Sequence, residues 1–340
     1  MRFNFEDILK SEPKFRLLQV KQAVFCDLIE NWSEARALPK SLQEKLKREV
    51  SLEIKAKIFE SDDKQTVKVL IELEDGLKVE SVLMRYQDRN TVCVSSQVGC
   101  PLNCSFCATG KLGFKRNLSS DEIVGQVLFF NRYLLKMKPA FAKASAGEKN
   151  QRVSNVVFMG MGEPFLNYEN VIKAIRILND KEGLSIGARK ISISTAGVVG
   201  GIEKLSQENL EINLAISLHA SNNDLRKQIM PIAQKYSIAE ILEAVNDYIK
   251  LTNRKVMFEY IMIKDVNDSE EQAEELAELM KHKLYMVNLI SYNPTGIFKA
   301  SFVGQIKKFK EILEKHGIEV TQRYKFGKGI KGACGQLAGE

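Results

Sequence analysis

Four of the chain's six cysteines fall in one short stretch, CVSSQVGCPLNCSFC, from Cys93 to Cys107. Cys100, Cys104 and Cys107 keep a C-x3-C-x2-C spacing, and thiolates so spaced in one loop are soft ligands for iron or zinc. A zinc site usually reaches four ligands with a second C-x2-C knuckle or with histidines. This chain has three histidines, at 219, 282 and 316, and no second knuckle. Three thiolates without a fourth protein ligand suit a 4Fe–4S cluster with one open iron, able to chelate a ligand and to deliver a low-potential electron. A zinc loop that borrows a distant ligand is the competing reading. Cys93 stands seven residues upstream of the triplet, and spacing alone does not decide whether it belongs to the site.

The remaining two cysteines read differently. Cys26 lies in the apolar run AVFCDLIE and reads as a buried structural residue. Cys334 lies in the glycine-rich GACGQLAGE and reads as a mobile, accessible thiol, consistent with reactivity. A functionless surface cysteine is the alternative there. Other loops carry small and hydrogen-bonding groups: MGMGEP at Met159–Pro164, SISTAG, SLHA and SYNP. Glycines in such a loop let the backbone approach a ligand closely. Each motif is weak by itself, and His219 alone more often marks a packed histidine than a ligand.

Elements with the right period surround these loops. From Thr91 onward TVCVSS, NVVFMG, KISIST, INLAISL, VMFEYIMI and MVNLISYN read as strands, with helical stretches at 120–136, 169–179, 236–250, 269–282 and 302–316. Six βα units in succession predict a parallel sheet curled into a full or partial barrel. Chemistry in such folds gathers at the C-terminal ends of the strands, and every unusual motif falls at one of those ends. Upstream, FRLLQVKQAVFCDLIE and LPKSLQEKLKREV predict a small helical domain over residues 1–50. TVKVLIEL and LKVESVLMRY, split by Asp75-Gly76, predict a β-hairpin. Residues 137–152 read as a low-complexity insert in a mobile surface loop.

Composition sets the outer bounds. The chain has 340 residues, 44% hydrophobic and 27% charged, as in an ordinary globular protein. No apolar run approaches the ~18 residues of a membrane helix, and the charged N-terminal stretch lacks a signal peptide's apolar core. A cytoplasmic protein is expected, where clustered cysteines point to metal or redox chemistry more than to structural disulfides. The formal charge is +7, with basic segments at Lys111–Arg116 and from Lys299 to the C-terminus. These suit a polyanionic substrate, or simply form a solvated basic face.

The C-x3-C-x2-C loop after a first barrel strand, with Phe106 before the last cysteine, resembles the radical S-adenosylmethionine (SAM) superfamily. GMGEP resembles that superfamily's GGEP-type motif. Taken together, CVSSQVGCPLNCSFCATG, FMGMGEP, ISTAGVV, LAISLHA, VNLISYNP and ACGQLAG closely resemble the RlmN/Cfr family of radical SAM RNA methyltransferases, over nearly the whole chain. The resemblance implies an α/β fold: a partial (β/α)6 radical SAM barrel at 89–325. It adds a helix-hairpin-helix-like, RNA-contacting domain at 1–50 and a hairpin extension at 51–88. A C-terminal loop at 326–340 would carry a methyl-accepting cysteine.

It also implies roles. Cys100, Cys104 and Cys107 would hold the 4Fe–4S cluster. Gly162, Glu163, Ser194, Ser217, Leu218, His219 and Asn293 would contact SAM. Cys334 would accept a methyl group, Cys93 would resolve an intermediate through a Cys93–Cys334 disulfide, and Glu80 would serve as acid/base. On composition alone Glu80 is an ordinary polar residue of the hairpin. Adenine C2 is electron-poor and cannot attack the methyl of SAM, so the family's chemistry takes two SAM molecules per methylation, one to load Cys334 and one to generate a radical. The implied partners are 23S rRNA, tRNA and an electron donor such as flavodoxin or ferredoxin, with the chain acting as a monomer away from membranes. Val98 and Pro164 resemble the branch that methylates adenine C2; the alternative is a Cfr-type C8 methyltransferase. From a different class, a non-catalytic zinc-containing RNA-binding protein is the competing expectation. The 137–152 insert and TGIFKAS after Pro294 depart from the family wording.

Overall fold

The computed structural model describes residues 5–137, 152–323, 327 and 329–339. The N-terminal region holds α1 (Phe5–Ile8), α2 (Phe15–Lys21) running into a π turn at Gln22–Cys26, and α3 (Lys40–Glu49). The rings of Phe5, Phe25 and Trp32 meet edge to face in its core, and Trp32 Nε1 donates to the Val50 carbonyl at 2.8 Å. The helical reading of this stretch thus agrees with its elements. Cys26 is only half-buried, its Sγ 3.4 Å from the Gly183 carbonyl, which corrects the reading of a fully buried residue.

Strands β1 (Ala56–Glu60), β2 (Thr66–Glu72), β3 (Lys78–Arg85) and β4 (Asn90–Val94) form an antiparallel run. The expected hairpin is β2–β3, turning where Gly76 takes φ +78°. Its third partner β1 escapes sequence reading because AKIFE has no face that is cleanly apolar. After β4 come a small ribbon, β5 (Gln97–Gly99) with β6 (Phe114–Asn117), the short α4 (Ala108–Lys111) between them, and then α5 (Ser120–Lys136). A capping box of Ser119 and Glu122 starts α5.

The chain then alternates: β7 (Asn155–Phe158), α6 (Tyr168–Asn179), β8 (Ile191–Thr195), α7 (Val199–Gln207), β9 (Asn213–Ser217), α8 (Asn223–Ile229) and α9 (Ile238–Thr252). It continues through β10 (Val256–Met262), α10 (Glu270–Leu279), β11 (Tyr285–Ser291), α11 (Val303–Lys315) and β12 (Glu319–Gln322). One sheet orders them β1-β2-β3-β4-β7-β8-β9-β10-β11-β12, parallel from β4 onward. β1 and β12 are its two ends and do not pair, so the barrel is partial and open.

Further features exceed the sequence reading, helix α8 among them. β12 adds a parallel strand beyond the six expected, its four residues too polar and exposed to show a strand pattern. Helix α7 forms although VGGIEKLSQ carries two glycines, which weaken helices. Packing overrides propensity there: a Cβ on Gly201 would lie 2.5 Å from the Phe165 ring. Of the expected insert, 138–151 lies outside the described residues.

Candidate active site

The cysteine loop is shaped by backbone constraints before any ligand is considered. Gly99 has φ +73°, and a Cβ there would fall 1.7 Å from the Gly113 carbonyl oxygen, so only glycine fits. The Gly113 carbonyl accepts from Cys100 N at 3.1 Å, and Cys107 N donates to the Cys104 carbonyl at 3.1 Å. Ser105 donates through both N and Oγ to the Ile229 carbonyl, at 3.0 and 3.2 Å, fixing the loop to the end of α8. Cys100, Cys104 and Cys107 all line one cavity. Burial pushes the Cys100 thiol up to about 12 and Cys104 well above its ordinary value, so a metal must displace protons to bind. Among the described residues no three His, Cys, Asp or Glu side chains gather closely enough for a single metal ion. A cluster asks for less convergence, because each thiolate binds its own iron.

The motif loops close around the same cavity. Gly162 takes φ +101°, and a Cβ on it would lie 2.6 Å from that of Gln97. Glu163 accepts from Thr195 Oγ1 at 2.7 Å, Ala196 N at 2.7 Å and Phe165 N at 3.0 Å, latching the loops after β7 and β8 together. Burial raises its pKa and these three donors oppose the shift. His219, at φ +60°, accepts through Nδ1 from Ile261 N at 3.1 Å, with the Phe106 ring edge-on at 5.0 Å. Burial lowers it to about 3, so it is a neutral imidazole carrying its proton on Nε2. It is both a packed histidine and a cavity wall. Ser194 and Ser217 line the cavity and converge on Glu259 Oε2, at 2.7 and 3.5 Å.

Two expected residues sit elsewhere. Leu218 is fully buried and contributes backbone: its carbonyl accepts from Arg226 Nε at 3.2 Å. Asn293 lines a second cavity, of about 570 Å3 with its opening, where its Nδ2 donates to the Cys334 carbonyl at 3.2 Å.

That second cavity contains both remaining cysteines of interest. Cys93 and Cys334 line it together with Val82, Met84 and Arg323. Cys93 belongs to β4, paired with Val82 of β3 and Val157 of β7. Cys334, Arg323, Ile290 and Leu337 line both cavities, which therefore adjoin. Burial, then the Cys334 sulfur, push Cys93 up to about 12, and the Arg323 guanidinium pulls the other way. The tail is less free than its glycines suggest. Ala108 N donates to the Gly335 carbonyl and Thr109 Oγ1 to the Leu337 carbonyl, both at 2.7 Å, leaving Cys334 half-buried.

Glu80 lines neither cavity. Its Oε1 lies 2.6 Å from Lys68 Nζ, and its Oε2 accepts from Ala338 N at 2.7 Å and Gly339 N at 3.3 Å, so it anchors the tail beyond Cys334. Three residues of the site escaped the sequence reading: Glu259, Arg323 and Arg226. The first had a visible signal, a lone acid inside the apolar strand VMFEYIMI. One Glu259 oxygen carries no hydrogen bond and lies 3.6 Å from Arg323 Nη1.

Comparisons with known proteins agree with this geometry. The radical SAM superfamily profile matches residues 94–280. A probable dual-specificity RNA methyltransferase RlmN of Dictyoglomus thermophilum is 47% identical over 97% of this chain and 93% of its own. A relative of the same name from Clostridium novyi is 44% identical over 96% and 92%. The crystal structure of a radical SAM methyltransferase from Sphaerobacter thermophilus superposes with a TM-score of 0.92 at 41% identity, covering 99% of this chain and 97% of that one. An open parallel barrel with three cysteines lining one cavity is the frame of a radical SAM enzyme, a superfamily whose cofactors are a 4Fe–4S cluster and SAM. Within it the chain belongs to the RlmN family and is a SAM-dependent RNA methyltransferase. Among the described residues no helix is long and apolar enough to cross a membrane.

Proposed function

We propose that the enzyme methylates C2 of an adenine in 23S rRNA and of an adenine in a tRNA anticodon loop, through a methylated Cys334 and a Cys93–Cys334 disulfide. The observation that carries this reading is the shared cavity of Cys93 and Cys334, opening beside the cavity of the three loop cysteines. Two SAM molecules serve each turnover. The Cys334 thiolate would take the methyl group of the first by displacement, its new S–C bond forming as the sulfonium–methyl bond breaks and S-adenosylhomocysteine leaves. Cys100, Cys104 and Cys107 would hold the cluster, which would supply the one-electron radical chemistry that activates the methyl on Cys334.

The chain's own residues do the rest. Ser194, Ser217, Gly162, Glu163 and His219 line the SAM cavity, the Leu218 backbone braces it, and Asn293 orients the Cys334 backbone. After the methyl carbon has joined the base, the Cys93 thiolate attacks the Cys334 sulfur, which frees the product and leaves a disulfide. Cys93 must first lose a proton that burial holds tightly, and Arg323 is the cation that favours its thiolate. Glu80 moves the proton from the base, which requires the tail to release its carboxylate. The base reaches the cavity unstacked, from an RNA loop or by flipping. Residues 1–50 and the basic tail grip the RNA, 51–88 extend the sheet, 89–325 form the barrel and 326–340 present Cys334. The enzyme works as a cytoplasmic monomer, fed by a flavodoxin- or ferredoxin-type donor. Val98 and Pro164 favour C2 over C8, and mapping the methyl position on the modified adenine decides between them.

The decisive test is mass spectrometry of the Cys334 peptide after anaerobic preparation with SAM present. A methyl or its downstream products on Cys334 are expected, and an unmodified residue in active enzyme defeats the mechanism.

A further inference from the structure

Arg226 on α8 is entirely buried and, among the described residues, has no carboxylate partner. Its guanidinium donates only to carbonyls: Ala196 at 2.6 Å from Nη2, Leu218 at 3.2 Å from Nε and Tyr236 at 3.2 Å from Nη1. A buried charge without a counter-ion costs several kcal/mol, on the order of the stability of a whole domain. Carbonyl dipoles offset part of that cost and leave the net charge uncompensated. The Ala196 carbonyl it bonds belongs to a residue that lines the cysteine cavity and shares one small core with Cys100, Cys104 and Cys107.

The neighbourhood is apolar. Leu102, Phe106, Ile229 and Met230 pack with the three cysteines in a small core of their own, where Coulomb interactions are weakly screened. Ser105 fastens the cysteine loop to Ile229, three residues after Arg226, so the guanidinium keeps a fixed relation to the loop.

We infer that Arg226 is the built-in counter-charge of the 4Fe–4S cluster, raising its reduction potential while clamping the two SAM-side loops after β8 and β9. This rests on Cys100, Cys104 and Cys107 holding the cluster. Three thiolates make the bound cluster anionic, and one electron from an external one-electron donor adds a further negative charge. A fixed cation stabilises the reduced state more than the oxidised one. Because the same guanidinium holds the carbonyls of Ala196 and Leu218, the residue that eases electron entry also fixes the loops carrying Ser194 and Ser217. Arg226 is a positioning residue, acting through the cluster and the loops.

The test is an EPR-monitored redox titration of anaerobically reconstituted enzyme, comparing wild type, Arg226→Lys and Arg226→Gln at equal iron content. At the potential where wild type is half reduced, Arg226→Gln should show a reduced-to-oxidised ratio about tenfold lower, a shift of about 59 mV for one electron. Arg226→Lys, which keeps the charge and loses carbonyl bonds, should stay near wild type. An unshifted Arg226→Gln overturns the inference, as does an Arg226→Lys shifted as far as Arg226→Gln, which would make the effect one of packing. Should Arg226→Gln fail to fold, Arg226→Lys decides alone: a wild-type-like potential supports the counter-charge and a markedly lower one overturns it. Wild type that takes up no iron overturns the cluster assignment itself, a result distinct from a loaded but unshifted variant.

Discussion

Arg323 Nη1 lies 3.4 Å from the Sγ of Cys334, and the same nitrogen lies 3.6 Å from Glu259 Oε1. One guanidinium therefore stands between the cavity of the paired cysteines and the cavity of the loop cysteines. Cys334, then Glu259, raise its pKa above the ordinary arginine value, so it stays charged. Arg323→Met leaves Glu259 buried without its cation, a loss on the order of 3–5 kcal/mol. Adding Glu259→Gln should recover part of it, because the two residues are coupled. Urea unfolding of the metal-free single and double variants measures this; additive losses would show that the pair is not coupled.

On the proposed mechanism Cys93→Ala removes the resolving thiol, and it changes little else in the β3–β4 register. With RNA, SAM and reductant it should accumulate enzyme covalently joined to RNA, visible as a band that resists denaturing gel conditions and disappears on nuclease treatment. Clean multiple turnover by this variant would show that Cys93 is not the resolving residue.

His219 gives the metal-free protein a predictable acid limb. Its folded value of about 3 lies below the ~6.5 of an unfolded histidine. Between these values the unfolded chain binds a proton that the folded chain refuses, so stability falls as pH drops through that window and is level above it. The slope attributable to this residue is about 1.4 kcal/mol per pH unit. His219→Asn tolerates the positive φ and should flatten the change in urea midpoint between pH 7 and pH 5. An unchanged acid limb would assign the slope to other groups.

Lys68 is the cation of Glu80, and both are almost fully buried, at 8% and 1% side-chain exposure. Lys68→Met should therefore destabilise the protein by about 3–5 kcal/mol, more than Glu80→Gln, whose amide oxygen can still accept from Ala338 N. Thermal unfolding ranks the two, and limited proteolysis should cut the C-terminal tail sooner in Lys68→Met. Equal effects would mean that losing the cation costs as much as losing the anion, and would refute the ranking.

The parts of the site that sequence reveals are those whose meaning is local. The cysteine triplet, Glu163 in MGMGEP and Ser194, Ser217 and His219 each sit in a short motif at a strand end, and each lines the cavity in the fold. Arg226 and Arg323 carry no such mark. Each acts through partners on other strands or loops, Ala196 and Leu218 for one, Glu259 and Cys334 for the other. Glu80 shows the reverse: its position was legible, but its engagement with Lys68 and the tail was not. In the fold, β12 and α7 escaped for the same reason, since packing against neighbours outweighs their own weak patterns.

The tail that carries Cys334 is fastened by contacts of very long sequence separation, 228 residues from Thr109 to Leu337 and 258 from Glu80 to Ala338. Loop-closure entropy makes such contacts slow to form, so they follow the hairpin and the cysteine loop on which they depend. The two thiols consequently meet only on a scaffold that is already assembled. Loosening either anchor, at Thr109 or at Glu80, therefore acts at a distance on the cavity that Cys334 and Cys93 line together.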